Sequence, residues 1–215
     1  MEIHQIFLNI GKGDIHEIPR FYQCHLNNIE YCKKYNLKYR LWTRNQILKL
    51  LNKSKNKKFK KIYHDFTHDI QRIDFAKYLI LWNFGGIYLD LDICIIDKPM
   101  YYLFDLPYFF VRWHSYHKNL PYNAVLGTKV NNPLYLEILN HSKDSFYQKV
   151  TKKVYQTWKG RFVFQTTGHY MLKRILKKNN ITKLHDILRI NTKDGKIIQG
   201  KDPIFEDYNV SVWYN

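Results

Sequence analysis

Cysteine is scarce in this sequence, acidic residues are outnumbered, and no apolar run is long. The three cysteines, Cys24, Cys32 and Cys94, are too few and too irregularly spaced for a disulfide framework or a paired-cysteine metal site. They leave Cys24–Cys32 as a candidate bridge and fit a reducing compartment better than an oxidising one. The opening stretch, MEIHQIFLNIGKGD, lacks the basic segment followed by an apolar segment that marks a targeting sequence. The apolar stretches around 79–81 and 101–111 are broken by polar residues and proline, and neither has the length of a membrane span. The expectation is a soluble chain, cytoplasmic or on the cytosolic face of a membrane. No repeat, linker or low-complexity tract divides residues 1–215, so one domain is expected.

The shortage of acid leaves 35 Lys and Arg against 18 Asp and Glu, a formal charge of +17. Such a balance favours anionic partners: nucleic acid, a phosphorylated metabolite or an anionic membrane surface. The 18 tyrosines would offer stacking to a nucleic acid, but no RNP, zinc-finger or recognition-helix pattern accompanies them. Nucleic acid is therefore disfavoured. The densest basic run, NKSKNKKFKK at residues 52–61, reads as a solvated loop or helix end. Its functional alternative is a contact to an anionic acceptor or membrane, with Phe59 as an insertion anchor.

The apolar and aromatic content, 45% and 17%, supports a packed core. Ile3–Leu8 reads as a strand, followed by a GKGD turn. A helix is expected from Ile18 through Tyr31, ending near Asn36. LKYRLW follows as a strand, and Thr43 caps a helix over Asn45–Leu51. Later come a short element at Tyr101–Leu106, a buried strand at Tyr108–Trp113 and a strand at Asn123–Gly127. Pro133 opens a helix that continues into Ser145–Trp158. Phe162–Phe164 reads as a strand, His169–Lys178 as a helix with a basic C-terminal half, Ile187–Ile190 as a strand and Asp194–Gly195 as a turn. The tail from Asp207 is aromatic and is expected to fold back. Strands separated by helices predict an α/β class, with ligand at the carboxyl ends of the strands.

The chain is organised around His68–Asp92. Ile70, Ile73, Ile80, Leu81 and Phe84 give a helical apolar side, and Asp74 stands at neighbouring helical spacing to Lys77 or to Tyr78. Gly85 and Gly86 permit positive φ. IYLDLDICII then reads as one strand that points Asp90 and Asp92 to the same face. Two carboxylates together call for compensation, and a divalent cation with oxygen ligands is the simplest source.

RIDFAKYLILWNFGGIYLDLD, residues 72–92, resembles the DxD-containing glycosyltransferases. It is most similar to the family-32 group, which includes initiation mannosyltransferases and capsular-polysaccharide sugar transferases. IHQIFL, the Leu41–Trp42 pair, YNAVLGT, TTGH and the terminal Ser211–Trp213 pattern resemble further blocks of that family. The resemblance implies a GT-A fold, a Rossmann-like mostly parallel or mixed sheet flanked by helices. It implies retaining transfer of a sugar from a UDP- or GDP-sugar to a glycan, glycolipid or glycoprotein hydroxyl, aided by Mn²⁺ or Mg²⁺. Asp90 and Asp92 would hold the ion, with Asn209, Ser211 or His169 in the role of the family's missing C-terminal histidine. Asp74 would bind donor sugar hydroxyls, and Lys77, which replaces the family's arginine, would neutralise phosphate. Gln5, Ile6, Phe7, Trp42, Gly168, His169, Ser211 and Trp213 would line the nucleotide-sugar site. A catalytically weak adaptor with the same fold is the alternative.

Overall fold

The computed structural model describes residues 1–9, 13–113, 120–151, 158–192 and 195–208. In chain order the elements begin with β1 (Glu2–Phe7), α1 (Pro19–Lys34), β2 (Lys38–Thr43) and α2 (Arg44–Leu51). A 3₁₀ turn at Ser54–Phe59 leads to α3 (Lys60–Asp65), α4 (Asp69–Phe84), β3 (Gly86–Leu89) and β4 (Ile93–Ile95). Next are α5 (Tyr101–Asp105), β5 (Tyr108–Arg112), β6 (Pro121–Thr128), α6 (Pro133–Thr151), α7 (Lys159–Thr166) and α8 (His169–Lys178). The described chain closes with β7 (Leu188–Asn191), β8 (Ile197–Gln199) and β9 (Phe205–Asp207).

The main sheet has the order β2-β1-β3-β6-β5. Its first three strands are parallel and its last two antiparallel, so the expected mixed α/β architecture is what forms. Alternation along the strands divides the interior in two. Ile6, Tyr88, Phe110 and Leu126 face a core built with α2, α4, α6 and α8. Ile3, Ile87, Leu89, Phe109 and Val111 face a second core shared with Tyr31 and Cys32 of α1, with α5 and with the smaller sheet β4-β9-β7-β8. α4 is buried continuously from Asp74 to Trp82. It is therefore an interior helix, apolar around most of its girth and with Asp74 and Lys77 paired inside.

The paired glycines do what α4 and β3 require of them. Gly85 and Gly86 have φ of +66° and +86°, and a Cβ on Gly86 would lie 2.3 Å from the Glu2 carbonyl oxygen. Thr43 and Gln46 form the capping box of α2, in line with the expected cap.

Four local expectations are corrected. IYLDLDICII is not one strand: β3 stops at Leu89, the chain turns with Ile93 N donating to Asp90 O at 3.1 Å, and β4 joins the other sheet. Phe162–Phe164 lies inside α7, where Phe162, Val163 and Thr166 make a buried helical face. Packing on that face overrides the local strand preference. Cys24 of α1 forms a disulfide with Cys94 of β4, 70 residues away, while Cys32 is a free buried thiol. A Cys24–Cys32 bridge is excluded because eight residues of helix separate the two by about 12 Å. Phe59 is no insertion anchor: it is fully buried against Phe75 and Trp82. Asp194 and the tail beyond Tyr208 lie outside the described residues, as do the expectations placed on them. Among the described residues, no helix is long and apolar enough to cross a membrane.

Candidate active site

The carboxyl end of β3 holds a compact group of charges. Asp74 and Lys77 lie one turn apart on α4, and Asp90 follows the last residue of β3. The Lys77 ammonium reaches Asp74 Oδ1 at 3.0 Å and Asp90 Oδ1 at 3.1 Å. It also donates to the Asn123 carbonyl at 3.1 Å. Its three donors thus have three acceptors. Asp74 is satisfied as well: Asn123 Nδ2 donates to Oδ1 at 3.0 Å and Thr167 Oγ1 to Oδ2 at 2.9 Å. Tyr78 OH donates to the Thr167 carbonyl at 2.7 Å, fixing the loop that carries it.

Burial divides this group into an inner and an outer part. Asp74 and Lys77 have side chains 4% and 1% exposed, against 32% for Asp90. Burial pulls the Lys77 ammonium downward, but the carboxylates of Asp90 and Asp74 outweigh it and hold the amine above its ordinary range. For Asp74, burial raises the carboxyl while the Lys77 charge opposes the rise. Lys77 therefore stays a cation.

Asp90 is the outward member. Tyr88 OH donates to its Oδ1 at 2.8 Å. Among the described residues no hydrogen bond reaches Oδ2, which leaves that oxygen for a ligand. The Asp90 backbone is fixed from two sides: its N–H donates to Ala124 O at 2.8 Å, and Gln5 Nε2 donates to its carbonyl at 2.9 Å. Gln5 is held in turn by Tyr39 OH, which bonds Oε1 at 2.6 Å. Asp92 lies in the turn, and its carbonyl accepts from Tyr208 N at 3.1 Å. Burial raises the Tyr88 and Tyr122 hydroxyls first, and the charges of both Asp90 and Asp92 raise them further. Asp92 thus acts electrostatically on the same two phenols as Asp90.

The structure gathers some of the expected residues and disperses others. Gln5, Asp74, Lys77, Asp90 and Asp92 meet at the strand end, with Gly168 just beyond Thr167 as the N-cap of α8. Ile6 is core, and Phe7 ends β1. Trp42 is not brought to the carboxylates. Its indole N–H donates to His4 Nδ1 at 3.2 Å and its ring packs 5.3 Å from Phe84, so it is no platform for a nucleobase. Lys77 also departs from expectation: sealed inside with every donor used, it positions the aspartates and presents no charge to a phosphate. Asp74 reaches a sugar hydroxyl only if Asn123 or Thr167 gives way. His169 is buried among Trp113, Phe164 and Tyr170. Asn209, Ser211 and Trp213 lie outside the described residues.

Asn123, Tyr88, Tyr122, Thr167 and Asp207 were not singled out from the sequence. Asn123 and Thr167 sit in the YNAVLGT and TTGH blocks, a signal that was present but unassigned. Asp207 ends β9, is buried, and accepts from Tyr122 OH at 2.6 Å. Only the pairing of β9 with β4 brings it beside the DxD turn.

The donor set fits a hard divalent cation. Among the described residues no three His, Cys, Asp or Glu side chains form a metal cage. A cation such as Mg²⁺ does not need one, because it binds through one or two carboxylates plus waters and substrate phosphates. The free oxygen of Asp90 beside Asp92 suits that mode.

The mixed sheet thus carries a DxD turn at the end of its central strand, braced by a buried ion cluster. Residues 23–106 match the family model of the glycosyltransferase sugar-binding region containing DXD motif. Over 60 residues, 28% of this chain and 18% of the relative, the chain is 40% identical to inositol phosphoceramide mannosyltransferase 1 of Schizosaccharomyces pombe. Over 136 residues, 62% of this chain and 51% of the relative, it is 28% identical to an uncharacterized glycosyltransferase of Acanthamoeba polyphaga mimivirus. The chain thus spans about a fifth and about half of these curated relatives. The fold is similar to that of the PaToxG glycosyltransferase, with a TM-score of 0.56, 16% identity, and coverage of 83% of this chain and 68% of that one. The resemblance to DxD-containing glycosyltransferases read from the sequence is borne out by family model, relatives and fold.

Proposed function

We propose that this chain transfers a sugar from a nucleotide-sugar donor to a hydroxyl of a glycan, glycolipid or glycoprotein, with retention and with Mn²⁺ or Mg²⁺. The supporting observation is the buried Asp74–Lys77–Asp90 cluster, which holds Asp90 at the strand end with one oxygen turned outward. Asp90 and Asp92 would hold the ion. When bound, it would neutralise charge developing on the diphosphate leaving group.

In this reading the bond from the anomeric carbon to the diphosphate oxygen breaks, and its electron pair stays on that oxygen. The acceptor hydroxyl oxygen bonds to the anomeric carbon from the same face, and its proton passes to the departing diphosphate. Lys77 and Asp74 act as positioning residues. Gln5 fixes the Asp90 backbone, and Asn123 and Thr167 border the space beside the carboxylates. One relative is named for transferring mannose, so GDP-mannose belongs among the donors to test. The proposed peripheral contact to an anionic membrane falls to the lysine run, whose Lys53, Lys55 and Lys58 sit by Phe84 and Trp82 at the C-terminal end of α4.

Isothermal titration with UDP-glucose, UDP-galactose, UDP-N-acetylglucosamine and GDP-mannose, with and without Mn²⁺, tests the proposal. Metal-dependent binding of one donor is expected, abolished in Asp92→Ala, with slow donor hydrolysis by the unaltered chain. Equal donor binding by Asp92→Ala would reject the metal role. Binding without hydrolysis or transfer would favour the adaptor.

A further inference from the structure

On the β5–β6 side of the carboxylates lies a cleft of about 500 Å³ lined by Trp113, Trp158, Arg161, Phe164, Gln165, His169 and Tyr170. That volume lies within the ~300–1,000 Å³ of small-molecule pockets. Trp158 is 60% exposed, yet its ring is seated. It meets Phe164 edge to face at 5.7 Å. A further support is Gly160, where a Cβ would come 2.4 Å from the indole, so only glycine lets the ring lie there without shifting.

The cleft is joined to the candidate active site by short links. His169 follows Gly168 and Thr167, and Thr167 Oγ1 bonds Asp74 Oδ2 at 2.9 Å. Trp113 packs on His169 at 4.9 Å and stacks on Tyr122 at 5.5 Å. Tyr122 in turn donates to Asp207 and feels the charges of Asp92 and Asp90. The sheet order puts β3 between this cleft and the β1–β2 side. In open α/β sheets a nucleotide occupies the crevice between parallel strand ends, which here is the β1–β3 side. The aromatic cleft is therefore left for the other substrate.

We infer that this cleft is a subsite for a pyranose ring of the acceptor, with Trp158 as its stacking wall. The inference rests on the transferase reading for the word acceptor, but the binding itself does not. A pyranose has apolar C–H faces and a rim of hydroxyls. The indole supplies a fixed apolar face at little entropic cost, and Arg161 and Gln165 supply hydrogen-bond donors to the rim. A nucleobase fits less well, because the Trp158–Phe164 and Trp113–His169 rings cross at 80° and 61° and leave no parallel slot.

The test is saturation-transfer NMR with titration of the full chain, using the methyl glycosides of mannose, galactose and N-acetylglucosamine, and uridine and guanosine as competitors. At least one glycoside should bind with a millimolar Kd, weakened about tenfold or more by Trp158→Ala, a loss of roughly 1.4 kcal/mol. Gly160→Ala keeps the ring but displaces it, and should give an intermediate loss. Arg161→Ala, an exposed substitution, provides a further variant whose fold is not in question, and it too should weaken the glycoside. No glycoside binding to the unaltered chain, equal binding by Trp158→Ala and Arg161→Ala, or displacement of the glycoside by a nucleoside would overturn the inference. Glycoside binding in a chain that takes no nucleotide sugar would end the transferase reading and leave the cleft as a carbohydrate site.

Discussion

The middle of α4 and its C-terminal end use lysine in opposite ways. In its middle, Lys77 is sealed in the interior with three acceptors around one ammonium. Around its end, Lys55 and Lys58 place their ammonium groups 4.9 and 5.9 Å from the Trp82 ring, and Lys53 lies 5.5 Å from Phe84. These outer lysines sit by the carboxyl end of a helix, where positive charge is favoured, and water carries most of their solvation. The inner lysine has given up its water, so its partners decide whether it is tolerated at all. Sequence composition counts both kinds equally toward +17, yet only the outer ones are available to an anionic partner.

Breaking the inner arrangement should have the largest effect. Lys77→Met leaves two aspartates without their cation, and unfolding in urea should show a loss of about 3–5 kcal/mol. Replacing both members, Asp74→Leu with Lys77→Met, should restore much of that loss while metal-dependent donor binding stays weak. If the single variant is as stable as the parent, the cluster is not the brace described.

A smaller effect is expected at His4, beneath the end of α4. His4 Nε2 donates to Gly85 O at 3.0 Å, and Nδ1 accepts from Trp42, a neutral tautomer with both nitrogens used. Burial lowers its pKa to about 4, with the Gly85 bond opposing and Arg40 adding to the fall. The unfolded chain binds this proton more readily, so the contribution is complete above pH 6.5 and is lost as pH drops from there to about 4. It amounts to roughly 3 kcal/mol at most. Urea midpoints across that window should slope downward toward acid, and the slope should flatten in His4→Gln.

Gly86→Ala tests the connection between α4 and β3. With φ at +86° and Glu2 O only 2.3 Å from the would-be Cβ, a loss of about 1–3 kcal/mol is expected in thermal or urea unfolding. The outer lysines should give the smallest change in stability. Lys53, Lys55 and Lys58 replaced together by Gln should shift unfolding by less than about 1 kcal/mol. The same variant should lose most of its sedimentation with phosphatidylserine vesicles at low salt. Unchanged sedimentation would remove the proposed membrane contact.

Much of the positioning framework was legible in the residues. The strand–helix order, the Thr43 cap, the long helix before two glycines and the aspartates after them all follow from local rules. Steric limits on φ and the period of side-chain burial act within a few residues, so they leave a mark in sequence. The mistakes have a common character. FVF at Phe162–Phe164 has strand-like composition, and its helix comes from contacts with α6 and α8. IYLDLDICII is uniformly strand-like, and its division reflects capture of Ile93–Ile95 by β9 from the far end of the chain.

By itself the sequence determined the alternation that splits the core, the glycine-hinged entry to β3, and the presence of Asp90 and Asp92 where a ligand is expected. The tertiary structure alone decided that Cys24 meets Cys94, that Lys77 is an interior brace, that Asp207 joins the neighbourhood of the carboxylates, and that an aromatic cleft opens beside them. The reason is one of range. Backbone sterics and helical or strand periodicity are local, whereas desolvation, ion pairing and ring packing depend on neighbours that only the folded chain brings together.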